Sequence, residues 1–119
     1  MTTDPNAADI LQRLYPLLVA RKQADPATSY VAALHAKGLD KILEKVGEEA
    51  VETLLAAKNR LPAAIIHETA DLWFHTLVML AHLEIPVEQV LEELANRFGT
   101  SGQASKSCPP FPSRSTTTR

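Results

Sequence analysis

The 119-residue sequence suits one compact domain with a real but thin core, which self-association would enlarge. Its formal net charge of -2 and its few aromatic residues argue against nucleic-acid binding, which needs a basic footprint and stacking platforms. Cys108 is the only cysteine, so an internal disulfide framework and a thiolate-clustered zinc site are excluded.

The segment from Met1 to Ile10 is polar and carries Asp4 and Asp9, so it is not expected to be a signal peptide. No apolar run approaches the ~18 residues of a membrane span. The cytoplasm is the expected location, with no membrane partner. Apolar residues recur at three- and four-residue intervals, which predicts an all-α chain. A first helix is expected from near Pro5, capped by Asp4, with Ile10, Leu11, Leu14, Leu17 and Leu18 on its apolar side. Pro16 is a kink or a later true start, and Asp25-Pro26 is a break. A short helix should run from Ser29 to Ala36, ended by Gly38. A long helix should follow from Asp40 to Lys58, its core stripe made of Leu39, Leu43, Val46, Ala50, Leu54 and Ala57. Two more are expected, from Pro62 to Leu83 and from Pro86 to Phe98, with Gly99 as the stop. Short connections between the last three favour antiparallel neighbours in a four- to five-helix bundle. The domain is placed at residues 1–102. Residues 103–119, rich in Ser, Thr and Pro, are expected to be a disordered tail.

The helix from Pro62 to Leu83 is apolar nearly all round and should be buried. Yet Glu68, Asp71 and His75 fall within ~60° of one another on it. Two carboxylates on a buried helix must be paired, hydrogen-bonded or metal-bound. The plain alternative is the solvated stripe of a surface helix. His75 alone is more often the partner of a carboxylate or backbone carbonyl than a ligand. On the preceding helix, Glu48, Glu49 and Glu52 stand opposite the expected core stripe, with Lys45 on the same side. Alone, that face reads as ordinary solvated charge. If the two faces meet, four or five carboxylates converge, and hard divalent cations answer their repulsion. Oxygen-only ligands point to Mg²⁺ or Mn²⁺, and Mg²⁺ commonly binds carboxylates together with substrate phosphates. Lys45, Lys58 and Arg60 lie near helix ends, where they would hold phosphate oxygens or simply be solvated. There is no glycine-rich phosphate loop. His35, His67 and His82 read as structural or surface residues.

Glu49-Ala-Val-Glu52 followed by Glu68-Thr-Ala-Asp71 resembles the ExxE…ExxD pattern of MazG-type nucleoside triphosphate pyrophosphohydrolases. Lys45-Val-Gly-Glu-Glu-Ala-Val-Glu52 and Ala70-Asp-Leu-Trp-Phe-His75 narrow the likeness to the phosphoribosyl-ATP pyrophosphatase family. Asp25-Pro-Ala-Thr-Ser-Tyr30, Gly38-Leu-Asp-Lys-Ile42 and Arg97-Phe-Gly99 add to it, so that it spans roughly Ile10 to Gly102. The resemblance implies an all-α homodimer with magnesium in a carboxylate cluster. It implies hydrolysis of phosphoribosyl-ATP to phosphoribosyl-AMP and pyrophosphate, the second step of histidine synthesis, by a free-standing chain. After Ser101-Gly102 the sequence departs from the family's acidic-basic tail.

On this reading Glu49, Glu52, Glu68 and Asp71 are the metal ligands. Glu48 is a further ligand or the base for the attacking water. Lys45 steadies phosphate charge, Lys58 and Arg60 bind substrate, and His75 supports the ligands from behind. Two rival functions remain: a housecleaning pyrophosphohydrolase acting on ordinary triphosphates, and a non-catalytic helical dimerisation module with solvated acidic faces.

Overall fold

The computed structural model describes residues 7–99, and every regular element among them is helical. The expected Asp4 cap, the Pro5 start and the 103–119 tail lie outside the described residues. A 3₁₀ turn, Ala7–Asp9, leads into α1, Ile10–Ala20. Asp9 makes no cap bond but pairs with Arg13 at 2.9 Å, one turn on. Pro16 lies inside α1, which continues through it.

A second 3₁₀ turn, Arg21–Gln23, opens the connection to α2, Tyr30–Lys37. Asp25 organises the break. Its side chain accepts from the Ala27 amide at 2.9 Å, and its carbonyl accepts from the Thr28 and Ser29 amides at 3.0 Å. Ser29 then caps α2 by accepting from the Ala32 amide at 3.1 Å, satisfying a donor the first helical turn leaves open. Gly38, at φ 101°, ends α2 in a conformation that side chains disfavour, and α3, Leu39–Lys58, begins immediately.

Asn59, Arg60 and Leu61 turn the chain into α4, Pro62–Leu83, with Pro62 in its first turn. Glu84 adopts φ 61° after α4, and the Ile85 amide reaches back to the Leu80 carbonyl at 3.0 Å, a Schellman-type stop. α5, Val87–Phe98, follows Pro86. The residues through Val87 form one compact unit and those from Glu88 a second. Within the second, Arg97 pairs with Glu93 at 2.8 Å, and Gly99 at φ 116° closes α5.

The core of the first unit joins Leu18 of α1, Val31 and Leu34 of α2, Ile42 of α3, and Leu77, Val78, Leu80 and Ala81 of α4, with Val87. Polar links bind the same elements. His35 donates from Nε2 to the Leu18 carbonyl at 3.0 Å and meets His82 through their Nδ1 atoms at 3.0 Å. Lys22 reaches the His82 carbonyl at 3.3 Å and Glu84 at 3.1 Å.

The stripe read as the core of α3 is borne out only in part: Leu39, Val46 and Ala50 are half-buried, whereas Leu43 is 42% exposed, Leu54 68%, and Ala57 is exposed as well. The buried line of α3 is Ile42, Glu49 and Ala56, with Val46, Ala50 and Thr53 half-buried along it. Within a single copy, α4 leaves Ile66 70% and Trp73 57% exposed. Only its C-terminal half, from His75 to Ala81, enters the core. Periodicity locates the bulkiest apolar face. The most buried residues of α3, Ile42, Glu49 and Ala56, all lie outside that stripe.

Candidate metal centre

α3 and α4 form the most extensive helix pair of the fold. Their register is antiparallel: Ile42 joins Val78 in the core, Glu49 faces toward Asp71, and Glu52 lies across from Glu68. Successive turns of the two helices therefore bring their acidic residues together. Glu49, Glu52 and Glu68 each offer an oxygen within 4.8 Å of the other two, and Glu68 also belongs to a second such group with Asp71 and His67. The four residues expected to bind metal thus fall in two overlapping sets that share Glu68.

The electrostatics are those of crowded anions. Glu49 is only 7% exposed, and its carboxyl is held above the usual carboxylate range by burial. The charges of Glu52 and Asp71 add to that rise, and Lys45 partly offsets it. Glu68 is raised as well, by burial, then by a hydrogen bond and the charge of Glu52, with His67 pulling the other way. Two oxygens, Glu49 Oε1 and Glu68 Oε1, are buried without a hydrogen-bond partner. A buried acceptor left unpaired costs about 1–3 kcal/mol, so native proteins seldom keep one without use. The Glu49, Glu52 and Glu68 group offers oxygens only, two of them bare and buried, which fits a hard divalent cation.

The remaining expected site residues divide. Lys45 and Glu48 meet at 3.3 Å beside the cluster, and Lys45 is raised by that bond, with Tyr30 next in effect. Glu48 is half-exposed and belongs to neither acidic group. Lys58 and Arg60 are exposed at the far end of α3, where among the described residues they form no ion pair with the acids. Lys58 is roughly 9 Å beyond Glu52 along the helix axis, at 1.5 Å per residue. His75 is buried, and among the described residues it bonds no carboxylate. Its Nδ1 donates to the Asp71 carbonyl at 3.0 Å, and its Nε2 meets the Tyr30 hydroxyl at 2.8 Å.

Two neighbours escaped the sequence reading. His67, taken as a surface or structural residue, stands 3.3 Å from Asp71 across one helical turn. The four-residue spacing carried that signal. Tyr30 meets His75, a link between separate helices that no local spacing reveals.

No helix among the described residues is long and apolar enough to cross a membrane. The phosphoribosyl-ATP pyrophosphohydrolase family model matches residues 11–98, a span that contains every acidic residue of the centre. With most of its length inside that match, the chain belongs to the phosphoribosyl-ATP pyrophosphohydrolase family.

Proposed function

We propose that the chain hydrolyses 1-(5-phosphoribosyl)-ATP to 1-(5-phosphoribosyl)-AMP and pyrophosphate, the second step of histidine synthesis, in the cytoplasm. The observation that carries this reading, beside family membership, is the pair of buried and unpartnered oxygens on Glu49 and Glu68. A merely solvated acidic face, as a non-catalytic dimerisation module would have, gives no reason to bury Glu49.

Glu49, Glu52, Glu68 and Asp71 would hold Mg²⁺, with Mn²⁺ as a substitute. The bound cation would neutralise charge on the phosphate oxygens of the substrate. Lys45, beside the cluster, offers a further positive charge to the same phosphates. Lys58 and Arg60 are assigned to the outer end of the substrate. Glu48 accepts the proton of the attacking water. The water oxygen bonds to the α-phosphorus, the bond to the bridging oxygen of the β-phosphate breaks, and pyrophosphate leaves with that electron pair. His75 holds the Asp71 turn of α4 from behind through its carbonyl bond.

A second copy of the chain is proposed to cover the outward apolar faces, including the groove of about 320 Å³ lined by Ile65, Ile66, Thr69, Ala70 and Trp73. The test of the activity is pyrophosphate release from phosphoribosyl-ATP beside a panel of ordinary nucleoside triphosphates. A marked preference for phosphoribosyl-ATP is expected. Equal or better turnover of the ordinary triphosphates would assign the centre to the housecleaning reaction instead.

A further inference from the structure

With a neutral His75 ring, donors and acceptors fix the polarity of the Tyr30 hydroxyl. A backbone carbonyl only accepts, so His75 Nδ1, 3.0 Å from the Asp71 oxygen, carries the ring hydrogen. In neutral imidazole the other nitrogen is then an acceptor. The Tyr30 hydroxyl, 2.8 Å from His75 Nε2, must therefore donate to it. Its only hydrogen is committed inward, and what it offers any arriving group is an oxygen lone pair.

The surroundings make this arrangement rigid on one side and open on the other. His75 is 5% exposed and is gripped edge-on by Phe74 at 5.2 Å and by Tyr30 at 5.8 Å. Tyr30 itself is 53% exposed. Its backbone is fixed in the first turn of α2 by the Ser29 cap, and Arg21 donates to the same Ser29 hydroxyl at 3.3 Å. His75 in turn holds the backbone carbonyl of Asp71, whose carboxylate belongs to the acidic cluster. An acceptor-only oxygen thus stands at the margin of a centre suited to phosphates.

We propose that Tyr30 is a specificity-determining residue that accepts a hydrogen bond from the ribose carrying the triphosphate, through the oxygen that His75 orients. Phosphate oxygens are themselves acceptors and would gain nothing there. The group next to the phosphate chain in any nucleotide is the sugar, and its hydroxyls are donors. This inference rests on reading the centre as a nucleotide pyrophosphohydrolase site.

The test compares wild type and Tyr30→Phe, with helical circular dichroism as the control for folding. The substrates are phosphoribosyl-ATP and its counterpart made from 2′,3′-dideoxy-ATP, assayed at pH 8. The variant should raise KM for the ribose substrate about threefold to tenfold, the range one neutral hydrogen bond supports, with kcat within about twofold. Its KM for the dideoxy substrate should match wild type. An equal rise with both substrates would show a role in packing or in contact with the base and overturn the proposal, as would no change in KM. If wild type releases no pyrophosphate from phosphoribosyl-ATP, the activity reading fails separately. The same four-way comparison is then made by calorimetric binding of Mg-ATP and Mg-dideoxy-ATP. Absent or equal binding there also overturns the role of Tyr30.

Discussion

Replacing Glu49 by Met tests whether the protein carries an unfavourable buried carboxylate for the sake of its site. Met is of similar length, fully apolar and adaptable in packing. Glu49 is 7% exposed, with Oε1 buried and unpaired, and removing a group in that state recovers about 1–3 kcal/mol. For a domain of this size each kcal/mol moves Tm by several degrees. Metal-free Glu49→Met should therefore melt higher than metal-free wild type, while its activity is lost. The gain should grow with pH. Burial holds the Glu49 carboxyl above its ordinary 4.5, so the folded state keeps its proton where the unfolded state has released it. Wild type accordingly loses stability as pH rises from about 4.5 through the higher folded value, and the Met variant lacks that contribution. Thermal melts in EDTA at pH 4.5 and pH 7.5 measure both effects. A Met variant that melts lower than wild type at pH 7.5 would refute the reasoning, because it would mean that Glu49 is well satisfied without a cation.

Mg²⁺ should stabilise the wild type, by about 2.7 kcal/mol when present at a hundred times its dissociation constant, and EDTA should reverse the shift in Tm. Glu49→Met should show almost none of this response. A different pH dependence is expected at the His35–His82 contact. Burial lowers the His35 pKa from its ordinary 6.5, so below that value the unfolded chain binds a proton that the folded chain resists. Stability should fall as pH drops below about 6.5 and level off below the lower folded value. His35→Leu should be less stable at pH 7.5, because the Leu18 carbonyl loses its donor, yet flatter over that range. Finally, Trp73→Asp should convert a dimer into a monomer in sedimentation velocity. A wild type already monomeric at tens of micromolar would remove the proposed assembly.

The helices were legible because caps and breakers act locally. Ser29, Gly38, Pro62 and Gly99 mark ends that the structure places within a residue of where the sequence puts them. The pairing of α3 with α4 followed from the short connection at Asn59–Leu61. What the sequence hid was which face each helix turns inward. Leu43 and Leu54 outweigh Ala56 in any apolar count, yet Ala56 and Glu49 are buried in line with Ile42 while the two leucines are exposed. Carboxylates set inside a helix pair break the usual apolar pattern, as candidate functional residues often do. The motif spacing supplied what the apolar pattern could not, by marking both acidic faces at once. His67 was within reach of that spacing argument. The Tyr30–His75 bond joins residues 45 positions apart and follows from tertiary packing alone.

The central claim is that the carboxylates shared between α3 and α4 hold the divalent cation used to hydrolyse phosphoribosyl-ATP. Asp71→Asn tests it most directly, since it keeps the side-chain size, leaves the backbone carbonyl for His75 and removes one charge. The measurement is pyrophosphate release as a function of Mg²⁺ concentration, with calorimetric Mg²⁺ binding on the same samples. The variant should keep its helical spectrum, lose orders of magnitude in kcat, and require far more Mg²⁺ for half-saturation. A fully active Asp71→Asn enzyme with unchanged Mg²⁺ affinity would contradict the account.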